Sequence, residues 1–99
     1  MLSVNFFDRR INIEIYFHRG GHIEVNYKGT SMVSGPRERC FNRIKDIVDE
    51  LDKIGGKEIY FTLIDYSNND SSYYYARSYL KSHLSVLKST AKSYIEIKD

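Results

Sequence analysis

An α+β domain, a mainly antiparallel sheet of four or five strands packed against two helices, is the fold class this 99-residue sequence predicts. Three observations carry that expectation. A period-two apolar pattern runs through residues 11–28 with two glycines in its middle, a 3-4 apolar spacing follows over residues 41–54, and a second helical stretch follows the candidate caps of residues 67–71. Ninety-nine residues fit one domain with one core, so residues 1–99 are read as a single unit.

The hairpin is the clearest element. Ile11 to His18 and His22 to Lys28 alternate apolar and polar residues and are rich in β-branched and aromatic side chains. A two-residue Gly-Gly turn would oppose the apolar face of one strand to the polar face of the other. A three-residue loop, Arg19 to Gly21 with a glycine in the left-handed region, instead pairs Phe17 with Ile23, Ile15 with Val25 and Ile13 with Tyr27. Upstream, Leu2, Val4 and Phe6 also alternate and suggest a first strand turning at Asp8-Arg9-Arg10, which makes a three-stranded meander.

Gly29 to Gly35 is rich in small residues and reads as a loop. Pro36 at the first helical position and Glu38 in the first turn then mark a helix start. Its apolar line is Phe41, Ile44, Ile47, Val48, Leu51 and Ile54, with Cys40 at the edge, and Gly55-Gly56 ends it. Glu58 to Tyr66 has apolar residues on both faces and reads as a central strand buried from two sides. Residues 67–71 offer N-caps for a second helix, whose buried line is Ala76, Tyr79 or Leu80, Leu84, Leu87 and Ala91. Tyr94 to Lys98 alternates again and suggests a last short strand, giving the order βββαβα with a possible C-terminal strand.

Composition narrows function. Fifteen basic and 13 acidic residues leave a formal charge of +2, too weak a global field to imply a nucleic-acid or membrane partner by itself. A single Cys forms no intrachain disulfide and suits a reducing compartment. Residues 1–7 lack a basic n-region, and no apolar run approaches the ~20 residues of a membrane span, so a cytoplasmic protein that is neither exported nor membrane-spanning is expected.

The candidate sites are therefore local. Tyr74, Arg77, Lys81, Lys88 and Lys92 form a cationic stripe on the second helix, with no acid between Ser71 and Ser93. Such a stripe suits phosphate neutralisation and base stacking, although a solvated helix face explains it too. The segment before the first helix, with Arg37, Arg39 and Arg43, offers an anion site at a helix N-terminus, but it lacks the Gly-Lys-Ser/Thr of a P-loop.

The nine tyrosines, several on strand faces opposite the isoleucines, suggest a dimer or partner interface. Three of them, Tyr73, Tyr74 and Tyr75, sit about 100° apart around a helix and cannot all enter one core. His18 and His22 face each other across the hairpin mouth with Glu24 nearby. Without a fourth ligand no metal is assigned, and no cofactor or catalytic residue is expected. Asp65 and Asp70 suit turn and cap roles as well as acid–base ones.

The length, the Ile, Tyr and Lys bias, the absence of Gln and the compact mixed elements together resemble the small orphan proteins of filamentous and rod-shaped viruses infecting hyperthermophilic archaea. That resemblance implies a thermostable α+β protein of the host cytoplasm and a dimer, and it brings no catalytic residues. Three functions are expected in this order. The first is a non-enzymatic binding protein contacting nucleic acid or a host protein through the helix stripe and surplus tyrosines. The second is a homodimeric interaction or inhibitor module, and the third a small phosphodiester-processing enzyme using His18, His22 and Glu24 or the Arg37 loop.

Overall fold

The computed structural model describes residues 6–99. They form β1 (Arg10–Phe17), a 3-10 turn (Arg19–Gly21), β2 (Ile23–Tyr27), β3 (Thr30–Gly35), α1 (Arg37–Ile54), β4 (Glu58–Asp65), α2 (Ser71–Thr90) and β5 (Tyr94–Lys98). The strands make one sheet in the order β3-β2-β1-β4-β5.

The hairpin has the expected register: Phe17 opposes Ile23, Ile15 opposes Val25 and Ile13 opposes Tyr27. Both Gly20 (φ 76°) and Gly21 (φ 79°) take the left-handed conformation, so the loop uses two such residues where one was expected. The proposed strand over Leu2 and Val4 lies outside the described residues. Phe6 is described, is not in a strand, and packs on Tyr27 with ring centroids 5.0 Å apart.

A three-stranded meander is present, but it is β1, β2 and β3 rather than one beginning at Leu2, and β3 is the segment read as a loop. After Tyr27 the chain turns through Lys28 (φ 49°) and Gly29 (φ 76°), and Thr30 pairs back with Tyr27. Two successive positive φ values match the twist of a two-residue hairpin turn. The register then slips between Val25 and Asn26, with Val33 opposite Val25 and Ser31 opposite Asn26. Met32 is the extra residue of this bulge and is buried. The slip breaks the period-two signal that would have marked β3 in the sequence.

The sheet is mixed rather than mainly antiparallel. β1 is antiparallel to β2, and β2 to β3, whereas β1–β4 and β4–β5 are parallel. The cause is connection length: α1 and α2 each carry the chain back along the sheet, so the next strand enters in the same direction. β1 is the central strand, and β4 is interior between β1 and β5.

Both helices cover one face. Beneath them lie the alternate side chains of the strands, Ile11 to Phe17 on β1 and Ile59, Phe61 and Leu63 on β4, all buried. α1 contributes Cys40, Ile44, Ile47, Val48 and Leu51, and α2 contributes Ala76, Leu80, Leu84 and Leu87. Ile54, expected in this core, sits at the last position of α1 and is 59% exposed. Ala91 is half-buried just past the end of α2, and Tyr79 is half-buried with Leu80 taking the core position.

β4 is not buried from two sides. Tyr60, Thr62 and Ile64 point to the face without helices and are only half-buried.

Candidate functional site

Among the described residues no helix or strand covers the second face of the sheet. Its side chains are the alternate positions of the strands: Asn12, Glu14 and Tyr16 on β1, Glu24 and Asn26 on β2, Tyr60, Thr62 and Ile64 on β4, and Tyr94, Glu96 and Lys98 on β5. One half of it is raised. Tyr16 stacks on Tyr66 with centroids 5.3 Å apart, His18 lies 6.0 Å from the Tyr66 ring, and Tyr66 is 61% exposed. Burial first, and then the Glu14 carboxylate beside it, push the Tyr16 phenol above its usual range.

The other half is hollow. A cavity of about 420 Å³ lies elsewhere on the molecule, but on this face a hollow of about 260 Å³ is lined by Arg10, Asn12, Tyr60, Thr62, Glu96 and Lys98. The Arg10 guanidinium sits 4.9 Å from the Tyr60 centroid, and Tyr60 meets Tyr94 edge-on at 6.2 Å. Small side chains at Asn12 and Thr62 leave the floor low, and the larger groups form its rim.

The cationic stripe on α2 is partly neutralised. Tyr74, Arg77, Lys81 and Lys88 do share a helix face, and Tyr74 is 54% exposed. Asp99, just after β5, takes both Arg77 and Lys81 at 2.6 Å, and the Lys81 hydrogen bond holds its carboxyl below the ordinary range. Lys88 remains exposed, as does Lys92, which lies beyond the end of the helix. No acid near Arg77 in sequence signals this pairing, because the partner comes from the neighbouring strand end.

The three arginines of the expected anion site diverge. Arg37 leans over the Tyr79 ring at 5.1 Å, and Arg39 lies along Gly35 at the end of β3. Arg43 is half-buried further along α1. Arg37 and Glu38 do line the larger cleft of about 420 Å³, with Gly20, Gly21, Ser72 and Tyr75. Acids of the chain already serve this cleft. Glu38 is held low first by its own backbone N–H, and Asp70 accepts the Gly20 N–H at 2.8 Å at the start of α2.

In the hairpin, the His18 and His22 rings are 5.8 Å apart and His18 Nε2 is 3.4 Å from Glu24 Oε1. Among the described residues no group of three His, Cys, Asp or Glu side chains is placed to hold a metal ion. Asp65 closes a turn, accepting the Ser67 N–H at 2.7 Å and the Ser67 hydroxyl at 2.6 Å. Cys40 is fully buried, and burial pushes its thiol up to about 11.

Comparison with protein-family models, with curated proteins and with solved structures returned no match. Among the described residues no helix is long and apolar enough to cross a membrane.

Proposed function

We propose that the chain is a non-enzymatic binding protein that engages a protein surface through the open face of its sheet. The observation that carries this reading is a five-stranded sheet that, among the described residues, has helices on one side only and bears Tyr16, Tyr60, Ile64, Tyr66 and Tyr94 on the other. Tyrosine supplies large, stiff contact area and is enriched at protein interfaces. Glu14, Glu24 and Glu96 share the face with Arg10 and Lys98, a mixed charge that offers a polyphosphate backbone no net attraction, so the chemistry favours protein over nucleic acid here.

A photoreactive phenylalanine analogue tests it, placed at Thr62 on the open face or at Ser82, an exposed position on α2. Irradiation in an extract of the source cells should give protein adducts from Thr62 and not from Ser82. Adducts from Ser82 alone would reject the reading.

A second reading, nucleic-acid contact along α2, is favoured by the exposed Lys88, Lys92 and Tyr74. A salt-dependent gel shift on duplex and single-stranded DNA and RNA tests it, and no shift at low salt would sink it. Enzymatic use of His18, His22 and Glu24 has one contact of 3.4 Å in its support. A viral origin, a hot habitat and a place in the host cytoplasm are proposed on the resemblance to the small orphan proteins of archaeal viruses alone.

A further inference from the structure

We propose that the occupant of the open sheet face is a second copy of this chain, joined about a two-fold axis that runs across the strands. This rests on the reading of that face as a protein-docking surface.

The first argument is shape. The face is hollow towards the amino-terminal end of β1, where Asn12 and Thr62 floor a cavity of about 260 Å³, and raised towards the carboxyl end, where Tyr66 stands on Tyr16. A two-fold axis lying in the interface and crossing the strands exchanges these ends. Each Tyr66 ring is then set towards the hollow of the other copy, where Asn12, Thr62 and Glu96 offer polar partners for its hydroxyl. A surface with both a knob and a hole, at opposite ends of its strands, is complementary to itself.

Charge follows the same symmetry. Arg10 lies at the start of β1, and Glu24 pairs with Tyr16 near the end of that strand. The exchange of ends carries Arg10 of one copy to the Glu24 end of the other, twice per dimer. Carrying both signs in one patch is what a self-associating face requires, and a partner of uniform charge would meet repulsion at one end.

Size agrees. Strands of 8, 5, 6, 8 and 5 residues, at about 4.8 Å spacing and about 3.3 Å rise, give a face of roughly 500 Å² in flat projection. Its corrugated surface is larger, which brings it towards the ~800 Å² per partner of a standard stable interface. Two such sheets stack about 10 Å apart, as in a sandwich.

Sedimentation of the purified chain from low micromolar to near-millimolar concentration tests the proposal, with circular dichroism melting to confirm that each variant is folded. The expected result is a reversible monomer–dimer equilibrium. R10E and E24R should each weaken it at least about tenfold by setting like charges together, and R10E/E24R should restore it. Tyr66→Ala, at an exposed ring, should weaken it without unfolding the protomer.

A chain that stays monomeric throughout overturns the proposal. So does a dimer that R10E and T62E leave intact, or singles that weaken it while the double variant fails to recover. A monomer whose Thr62 position still photo-crosslinks to a different protein rejects the second copy while keeping the docking face. Protection of Tyr16 and Tyr66 by an oligonucleotide rejects both.

Discussion

Replacing neighbouring residues of β1 should separate the two faces of the sheet energetically. Ile15 is fully buried in the central strand, between Val25 on one side and Leu63 on the other. Ile15→Ala removes buried methyl groups where both flanking strands resist collapse, so a loss of about 2–5 kcal/mol is expected. Tyr16, one position on, faces the bare side and stacks on Tyr66 at 5.3 Å. Tyr16→Ala in an isolated protomer loses that ring pair, about 0.5–1.5 kcal/mol, and with it the partial cover of a half-buried side chain, for a total of about 1–2 kcal/mol. Against a total of about 5–15 kcal/mol for a domain, a difference of roughly 2 kcal/mol is readily resolved. Urea unfolding at the lowest workable protein concentration is the assay, with an unchanged slope confirming that only stability has moved. Equal losses for the two variants at that dilution would refute one-sided burial. If the open face mediates association, the Tyr16→Ala penalty should grow with protein concentration while that of Ile15→Ala changes far less.

Other consequences can be checked directly. Cys40, with its thiol pushed up to about 11 and its Sγ 3.7 Å from the carbonyl oxygens of both Ile23 and Gly35, should resist a disulfide reagent in the native state at mildly alkaline pH. It should react fully in denaturant, and rapid native labelling would contradict its burial. Acid should destabilise the fold through Asp70 and Asp99. The Gly20 N–H holds Asp70 low and Lys81 holds Asp99 low, so their contributions are complete above about pH 4, the unfolded value, and fade as pH falls through the depressed folded values. Thermal melts should therefore be level from neutral pH to about 5 and decline below about 4, and D70N/D99N should flatten that decline. At Gly20 an added Cβ meets nothing within 4 Å, so Gly20→Ala should cost only its left-handed backbone, about 1–2 kcal/mol; a neutral result in urea unfolding would contradict the φ of 76°.

Legibility in the sequence followed locality. The β1–β2 register was readable because alternation and loop length constrain each other within residues 11–28. Helix α1 was readable because its apolar spacing ends at Gly55-Gly56. β3 was hidden by the Met32 bulge, which breaks the alternation on which recognition of a strand depends. The parallel direction of β4 and β5 was implied by the helices that precede them, but the insertion of β4 beside β1 rather than β3 was not, since a crossover helix leaves no mark of the strand next to which the chain lands. The open face was half legible. Tyr16 and Tyr60 were visible opposite buried positions, but Tyr60, Ile64 and Tyr66 on β4 and just beyond it look like a second buried face until it is seen that no element of the described residues covers them. The Asp99 pairing with Arg77 and Lys81 was invisible for the same reason of distance along the chain.

The position of β1 has a kinetic corollary. One of its neighbours arrives after a three-residue loop, and the other only when residues from Glu58 onward have been made. The meander of β1, β2 and β3 needs only short-range closure and can assemble early, whereas docking β4 must wait for a much longer excursion of the chain. During that interval the isoleucine-rich strand presents an unpaired backbone edge, a template for joining other chains. Synthesis that stalls within α1 would release a species whose main hazard is aggregation, and the rate at which β4 reaches β1 sets how long every molecule is exposed to it.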